Sequence, residues 1–196
     1  TILYTKEGVC RGCGKPCPED SPFITGDGVA IPIPQNVDTP FTLDGWFPGT
    51  LYLWRDYTRG TALHVRTLNG NGTLELQKHI VYSNLILDDF QSNSFTIHDG
   101  HLAKLTLNQA GSLILDDVTI EDSLTVPAGM DLKLNNVTFK DRVIFWGTAS
   151  INGGTFEAGL YNDDGTCLKL LAPGYAFVRK DGTVIDANGD SITGTV

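Results

Sequence analysis

Three of the four cysteines lie close together near the start of the chain. Cys10, Cys13 and Cys17 form the motif Cys-x2-Cys-Gly-x2-Cys, whereas Cys167 lies far along the sequence. A Cys-x2-Cys-Gly turn is typical of a zinc knuckle, because glycine lets backbone amides approach the thiolates, and a structural zinc takes four ligands. The motif therefore predicts a structural zinc, with Cys167, a histidine or a residue outside this sequence as the fourth ligand. Disulfides among the four cysteines, or reduced structural thiols, are the alternatives.

Polar residues recur directly after pairs of apolar residues, at Asp88-Asp89, His98-Asp99, Asp116-Asp117 and Asn135-Asn136. This spacing predicts a column of acids and amides along one turn of the molecule. Polysaccharide hydrolases use two carboxyl groups about 5–9.5 Å apart. The candidate catalytic residues of that hypothesis are Asp88, Asp89, Asp116 and Asp117. We favour a structural column instead, because Asp and Asn side chains bond the local backbone where strands end.

Aromatic residues are the other candidates for binding, since exposed flat rings stack on sugars or anchor protein partners. Trp146 takes the place of Asn108 and Pro127 in the preceding repeats, just past an apolar pair, which predicts that it lies outside the core. An N-terminal group of aromatics either adds to this surface or forms the core of a cap. The candidate binding residues are Trp146, Trp46, Trp54 and Tyr57.

These residues would be positioned by a series of short strands. Apolar residues recur two positions apart, and residues two apart on a strand share a face. Every second pair follows after 19 residues, as in Leu105, Leu124 and Val143. The sequence of residues 113–120 returns in closely similar form at 132–139. A repeat of about 20 residues that contains no helix predicts a β-solenoid.

We therefore predict an all-β fold, a single-stranded and right-handed parallel β-helix with coils of about 18–20 residues, whose inward pairs stack into one apolar column. A β-sandwich has similar strand spacing but would not repeat the sequence in this way. The Asp181-Gly182 turn between two apolar segments predicts a hairpin near the C-terminus. The predicted parts are a Cys-rich segment at 1–19, an N-terminal cap with irregular coils at 20–60, the β-helix coils at 61–158 and a capping hairpin at 159–196.

The charge of the chain restricts its partners. Acidic residues outnumber basic ones by 23 to 14, which gives a net charge of -9. Such a surface repels polyphosphate, so we expect no nucleic-acid partner. No apolar run reaches the roughly 18 residues of a membrane span, so we expect no membrane insertion. We interpret the chain as a segment of a longer protein, whose targeting or anchoring segment lies outside it.

The stretch from Glu7 to Cys17 resembles a short Cys-rich repeat of large Gram-positive surface proteins, in which a histidine takes the place of Glu19. The Gly-Gly-Thr-Phe sequence at 153–156, and Leu-Leu-Ala-Pro-Gly-Tyr-Ala-Phe followed by Asp-Gly, are similar to parallel β-helix modules of those proteins. The resemblance implies a secreted or wall-attached protein that uses the β-helix as a stalk, an adhesin or a glycan-binding face.

Three functions follow from these observations. The first is a non-catalytic cell-surface module whose lateral face binds a host glycan or surface protein. The second is a carbohydrate-active enzyme that uses the aspartate column, although a fold alone does not imply a function. The third is a pure structural spacer. We expect the first.

Overall fold

The fold is all-β, and it is a parallel β-solenoid of about five turns, which confirms the predicted parallel β-helix. A computed structural model describes residues 1–34, 41–43, 49–58, 62–65, 71–88, 94–188 and 191–196. The strands in these residues are β1 (Phe23–Thr25), β2 (Ala30–Ile31), β3 (Phe41–Thr42), β4 (Gly49–Leu53), β5 (Leu63–Val65), β6 (Gly72–Glu75), β7 (Ile80–Leu87), β8 (Phe95–Leu107), β9 (Gly111–Ile120), β10 (Leu124–Val126), β11 (Met130–Phe139), β12 (Val143–Phe145), β13 (Thr148–Asn162), β14 (Phe177–Val178), β15 (Val184–Ile185) and β16 (Ile192–Thr195). A turn of 3-10 helix covers Cys167–Leu170. Among the described residues, no helix is long and apolar enough to span a membrane.

The first face of the solenoid consists of β4, β6 and the first part of β8, β9, β11 and β13. These strands are parallel and in register. Their inward side chains stack from coil to coil and are buried in a column of Leu51, Leu74, Ile97, Leu115, Leu134 and Ile151. On this face the parallel stack begins at β4, within the segment predicted to be a cap with irregular coils.

The second face follows directly in the same long strands, and the sequence pattern does not reveal it as a separate face. Its inward residues belong to the repeated Val-Thr-Ile/Phe sequence, and Tyr57 and Val81 continue the column in the earlier coils. The rings of Phe139 and Phe156 stack here with their centroids 5.2 Å apart. Each coil is therefore triangular rather than two-sided.

The third face consists of β3, β5, the last residues of β7 and β8, then β10, β12 and the end of β13. Its inward residues are every second predicted pair. Leu107 lies opposite Leu87, and Val126 lies opposite Phe145, in neighbouring coils. The strands β8 and β10 pack against each other. The predicted inward pairs from Leu63/Val65 to Val143/Phe145 are all buried. The predicted apolar column is thereby confirmed.

The coils differ in length. Glu75 and His98 are register partners in successive earlier coils and lie 23 residues apart in the sequence. In the later coils, Asp117 and Asn136 are 19 residues apart, and Asn135 and Asn152 are 17 residues apart. The predicted repeat length therefore describes the later coils, and the earlier coils are longer.

A polar corner separates the first face from the second and lets one strand pass from one face to the next. Asp99, Asp117 and Asn136 occupy this corner with φ of 54°, 53° and 52°, and Gly153 occupies it in the last coil with φ of 90°. Aspartate and asparagine tolerate this left-handed conformation better than other side chains do. The Asp-Asp and Asn-Asn motifs at 116–117 and 135–136 thus have a backbone role.

Antiparallel strands cover both ends of the parallel stack, where unpaired edges would otherwise promote association. At the N-terminal end, β1 pairs with β2 and with β4. At the C-terminal end, β16 pairs with β13, and the predicted hairpin is present as β14 and β15. The apolar segment before the turn is shorter as a strand than predicted, because Leu170 ends a 3-10 turn and the strand begins at Phe177.

Candidate functional site

The polar column predicted after the apolar pairs is present at the end of the first face. His98, Asp116 and Asn135 are register partners in successive coils, and the column extends to Glu75 and Asn152. The side-chain amide of Asn152 donates to Oδ1 of Asn135 at 3.1 Å. At each end of the column, neighbouring members therefore bond each other from coil to coil, as Glu75 with His98 and Asn135 with Asn152.

Asp88 does not belong to this column, and its predicted alignment with Asp116 is wrong. Asp88 follows the third face, where its backbone N–H donates to the carbonyl of Val65 and its carboxylate lies 2.8 Å from Nδ1 of His64. The two aspartates thus lie at different corners of the coil, because each coil has three faces. Asp89 lies outside the described residues. The structure therefore does not bring Asp88 and Asp116 into one groove.

Within the column, His98 interacts with several neighbouring carboxylates. Its Nδ1 lies 2.5 Å from Oε2 of Glu75. Partial burial works against protonation, but the hydrogen bond and charge of Glu75, with the charges of Asp116 and Asp99, give His98 a pKa above its ordinary value. Ligand atoms of His98, Asp116 and Asp117 all lie within 4.8 Å of one another. These three side chains could hold a divalent cation, although Asp117 also accepts a hydrogen bond from Asn136 at 2.8 Å.

Two of the N-terminal cysteines form a knuckle-like turn. The backbone N–H of Cys13 donates to Sγ of Cys10 at 3.2 Å. Hydrogen bonds from the Cys13 side chain and backbone, with smaller contributions from the amides of Gly12 and Gly14, lower the pKa of the Cys10 thiol. This is the local geometry that a zinc knuckle provides, and it supplies two thiolate ligands.

Among the described residues, Cys17 and Cys167 do not lie close enough to Cys10 and Cys13 to form a group that could hold a metal ion. Burial, with a smaller contribution from the charge of Asp20, raises the pKa of Cys17 to about 11, and its thiol faces the carbonyl of Ser21. Cys167 lies beside Leu160 in the last coil. Six strand spacings separate β1 from β13, which corresponds to roughly 29 Å. Cys167 is therefore neither a fourth zinc ligand nor a disulfide partner for this cluster.

The N-terminal aromatics anchor the cap, in agreement with the cap-core alternative. The indole N–H of Trp54 donates to the carbonyl of Ser21 at 2.6 Å, and Arg55 lies over its ring. Gly8 lies so close to this ring that a Cβ there would be 2.3 Å from it. Tyr57 is buried against Phe23. Trp54 and Tyr57 are thus unavailable as binding platforms, and Trp46 lies outside the described residues.

Trp146 lies where it was predicted, on the outside of the molecule with 56% of its surface exposed. Its backbone N–H donates to the carbonyl of Val126, directly after β12. Beside it, on the outer side of the third face, Ile144 and Tyr161 are register partners in the last two coils. Trp146 thus follows, two residues along the chain, an outward apolar pair that spans the last two coils.

A cleft of about 290 Å³ adjoins this apolar pair and was not predicted from the sequence. Its lining residues are Arg142, Ile144, Tyr161, Asn162, Asp163 and Gly165. They come from β12 and the residue before it, the end of β13 and the turn that follows. In β12, the alternation of inward Val143 and Phe145 with outward Ile144 indicates which side chains face the cleft. The partner strand around Tyr161 has only one inward apolar residue, so the search for apolar pairs does not detect it.

No protein-family model, curated protein or solved structure matches this chain. The resemblance to modules of Gram-positive surface proteins therefore stays a prediction. The functional argument depends on the geometry of the chain itself.

Proposed function

We propose that this chain is a non-catalytic module of a secreted or cell-surface protein, and that it presents the outer side of its third face to a host glycan or surface protein. The observation that carries the proposal is the exposed indole of Trp146 on a rigid strand end. An aromatic ring held in water offers a large apolar contact at little cost in conformational entropy, which is why such rings anchor sugars and protein partners.

The surroundings of Trp146 support a binding surface rather than an isolated side chain. At the equivalent place in other coils the chain carries Asp88, Asn108 and Asp163, which make the same backbone contact to the preceding coil. A small polar residue is therefore sufficient for the corner itself. The tryptophan adds exposed apolar surface that the fold does not require.

The parallel stack of coils also suits a presentation role. On the third face β3, β5, β7 and β8 pair in one parallel ladder and β10, β12 and β13 in another, so the outer side chains within each ladder have fixed spacing. A binding site gains affinity when its groups are held in place before the ligand arrives.

An immobilised glycan array, probed with the purified chain and with Trp146→Ala, tests this function. We expect capture of at least one glycan class by the wild-type chain and a loss of tenfold or more in the variant. Tyr82→Ala is the matched control, because Tyr82 is also 56% exposed but lies on β7. Equal capture by the Trp146 variant would refute a Trp146 surface. Absence of capture across the array would favour a spacer or a protein ligand, and a screen against host surface proteins would separate those two.

A further inference from the structure

The polar corner between the first and second faces concentrates charge in its earlier coils. Glu75, His98 and Asp116 are outward register partners in three successive coils, and Asp99 and Asp117 follow at the corner itself. Four of these five side chains are carboxylates. In the part of the chain that the structure describes, Asp99, Asp116 and Asp117 form no ion pair with a lysine or an arginine.

The next coil carries neutral residues at the same positions. Asn135 takes the place of Asp116, and Asn136 takes the place of Asp117 with the same left-handed backbone. Like charges on adjacent strands destabilise their pairing, so the fold alone favours amides at this corner. The carboxylates of the earlier coils therefore have a cost that the architecture does not require.

Three of the charged side chains converge on one point at the surface. A ring nitrogen of His98 and one carboxylate oxygen each of Asp116 and Asp117 all lie within 4.8 Å of one another. A Zn–N or Zn–O bond of about 2.0–2.2 Å places the ligands of one zinc up to about 4.4 Å apart, so small side-chain rotations bring the three atoms onto one ion. None of the three residues is buried, so an ion reaches them directly from solvent.

The neighbouring groups hold two of these side chains as metal ligands are held. Nδ1 of His98 lies 2.5 Å from Oε2 of Glu75, and the side-chain amide of Asn136 donates to Oδ1 of Asp117 at 2.8 Å. A histidine that binds a metal almost always gives its other ring N–H to a carboxylate, a carbonyl or water, which fixes the tautomer. Nε2 of His98 and Oδ2 of Asp117 are thereby left for an ion. The carboxylate of Asp116 has no hydrogen-bond partner among the described residues.

The set of donor atoms selects the class of ion. An imidazole nitrogen with two carboxylate oxygens suits zinc and its neighbours in the first transition row, whereas calcium and magnesium prefer sites made of oxygen alone. Three protein ligands leave at least one position on the ion to water. The net charge of -9 favours the approach of a cation.

We propose that His98, Asp116 and Asp117 bind one divalent transition-metal ion of the zinc type, through Nε2 of the histidine and one carboxylate oxygen of each aspartate. Glu75 and Asn136 orient the ligands. Because His98 belongs to β8 and the two aspartates belong to β9, the ion links successive coils. This corner is separate from the outer side of the third face, so the site is independent of the function proposed above.

The test is a titration of the metal-free, ¹⁵N-labelled chain with zinc chloride, followed by NMR at the ring nitrogens of His98 and the backbone amides of Asp116 and Asp117. We expect saturable shifts at these positions, and none with calcium or magnesium chloride at the same concentrations. The readout has to be local because Cys10 and Cys13 also offer thiolates to zinc. Zinc shifts confined to the two cysteines, or saturation by calcium instead of zinc, would overturn the proposal.

Asp116→Asn is the most direct variant, because it introduces the residue that the next coil already carries at this position. We expect its zinc affinity to fall by at least about tenfold, since a neutral amide binds a cation more weakly than a carboxylate does. Without metal, its urea midpoint should be no lower than that of the wild type, because repulsion is relieved. Asp131→Asn is the matched control. Asp131 is an exposed carboxylate on β11 that accepts a hydrogen bond from Thr148, and its variant should bind zinc as the wild type does.

Unfolding in the presence of zinc gives a second readout. An ion that binds the folded state alone stabilises it, so zinc should raise the urea midpoint more in the wild type and Asp131→Asn than in Asp116→Asn. A purely structural role for Asp116 predicts a lower midpoint of the metal-free Asp116→Asn chain and unchanged zinc shifts at His98. That result, or an equal effect of zinc on all three chains, would refute the site.

The two experiments of this section and the glycan array fail independently. Loss of glycan capture in Trp146→Ala with no zinc shifts at His98 would leave the proposed function intact and refute the metal site. Zinc binding at His98 without glycan capture would support the metal site alone.

Discussion

The earlier and later coils of the solenoid share one apolar core but use different polar contacts between coils. In the earlier coils, all four histidines of the chain pair with carboxylates of a neighbouring coil, as His64–Asp88, His79–Asp56, His98–Glu75 and His101–Glu121. In the later coils the contacts are Asn136–Asp117, Asn152–Asn135, Thr148–Asp131 and Lys140–Glu157.

The difference indicates that the apolar core determines how the coils stack. One kind of outer polar contact can replace another without a change in the stacking. The inward columns continue through both regions without interruption, although the earlier coils are longer than the later ones. We therefore expect core substitutions to have similar, large effects in both regions. Substitutions of polar contacts should have smaller effects that depend on the region.

The largest effect is expected from Phe145→Ala on the third face. Phe145 is fully buried, and its truncation leaves a cavity that should cost about 3–5 kcal/mol of unfolding free energy. Leu74→Ala in an earlier coil should cost about 2–5 kcal/mol by the same mechanism. Urea unfolding followed by circular dichroism measures both. If the core is continuous, each variant unfolds in one transition, and a separate early transition in either variant would contradict that continuity.

An intermediate effect is expected at the polar corner of the later coils. Asn136 has a φ of 52°, and left-handed conformation costs an ordinary side chain roughly 1–2 kcal/mol. Asn136→Ala should therefore lower the unfolding free energy by about that amount. Asn136→Gly should change it by less than about 0.5 kcal/mol, because glycine takes this conformation freely, as Gly153 does in the last coil. Equal losses in the two variants would show that the side-chain contact, rather than the backbone, matters.

The smallest effect is expected from the pH dependence of a histidine pair in the earlier coils. The folded protein raises the pKa of His98, so its contribution to stability is fully present below the unfolded value of about 6.5 and is lost as the pH rises through the higher folded value. Because the side chain is about one-third exposed, we expect the change to stay below about 1 kcal/mol.

Urea unfolding of the wild-type chain, His98→Asn and Thr148→Val between pH 6 and 9 measures this contribution. Between pH 6 and 9 the unfolding free energy of His98→Asn should fall less than that of the wild type. Thr148→Val removes a contact of the later coils that involves no histidine, so its unfolding free energy should change with pH as the wild type's does. A pH profile that is identical in His98→Asn and wild type would show that the Glu75 pair contributes nothing.

The sequence was sufficient to predict the architecture because the inward pairs and the repeat encode it locally. Buried positions alternate in strands of the first and third faces such as β5, β9 and β12, and alternation survives even where coil length changes. The prediction that Trp146 is outside succeeded for the same reason, since its position relative to Phe145 fixes its side of the strand.

Other features could not be predicted from the local sequence, because identical local sequences occupy different faces of the coil. Leu-Ile-Leu-Asp-Asp occurs at 85–89 and at 113–117, and Leu85–Leu87 lie on the third face whereas Leu113–Leu115 lie on the first. Only the pairing with neighbouring coils distinguishes them, so the alignment of Asp88 with Asp116 is wrong. The roles of Trp54 and Tyr57 likewise depend on contacts with Ser21 and Phe23, which are distant in sequence.

The stacking of whole coils has a consequence for distance along the molecule. Because neighbouring coils are spaced by about 4.8 Å and keep their angular register, insertion or removal of one complete coil would translate Trp146 along the long axis without turning it to another side. Evolution could thus adjust the reach of such a protein in uniform steps while the direction in which it points is preserved.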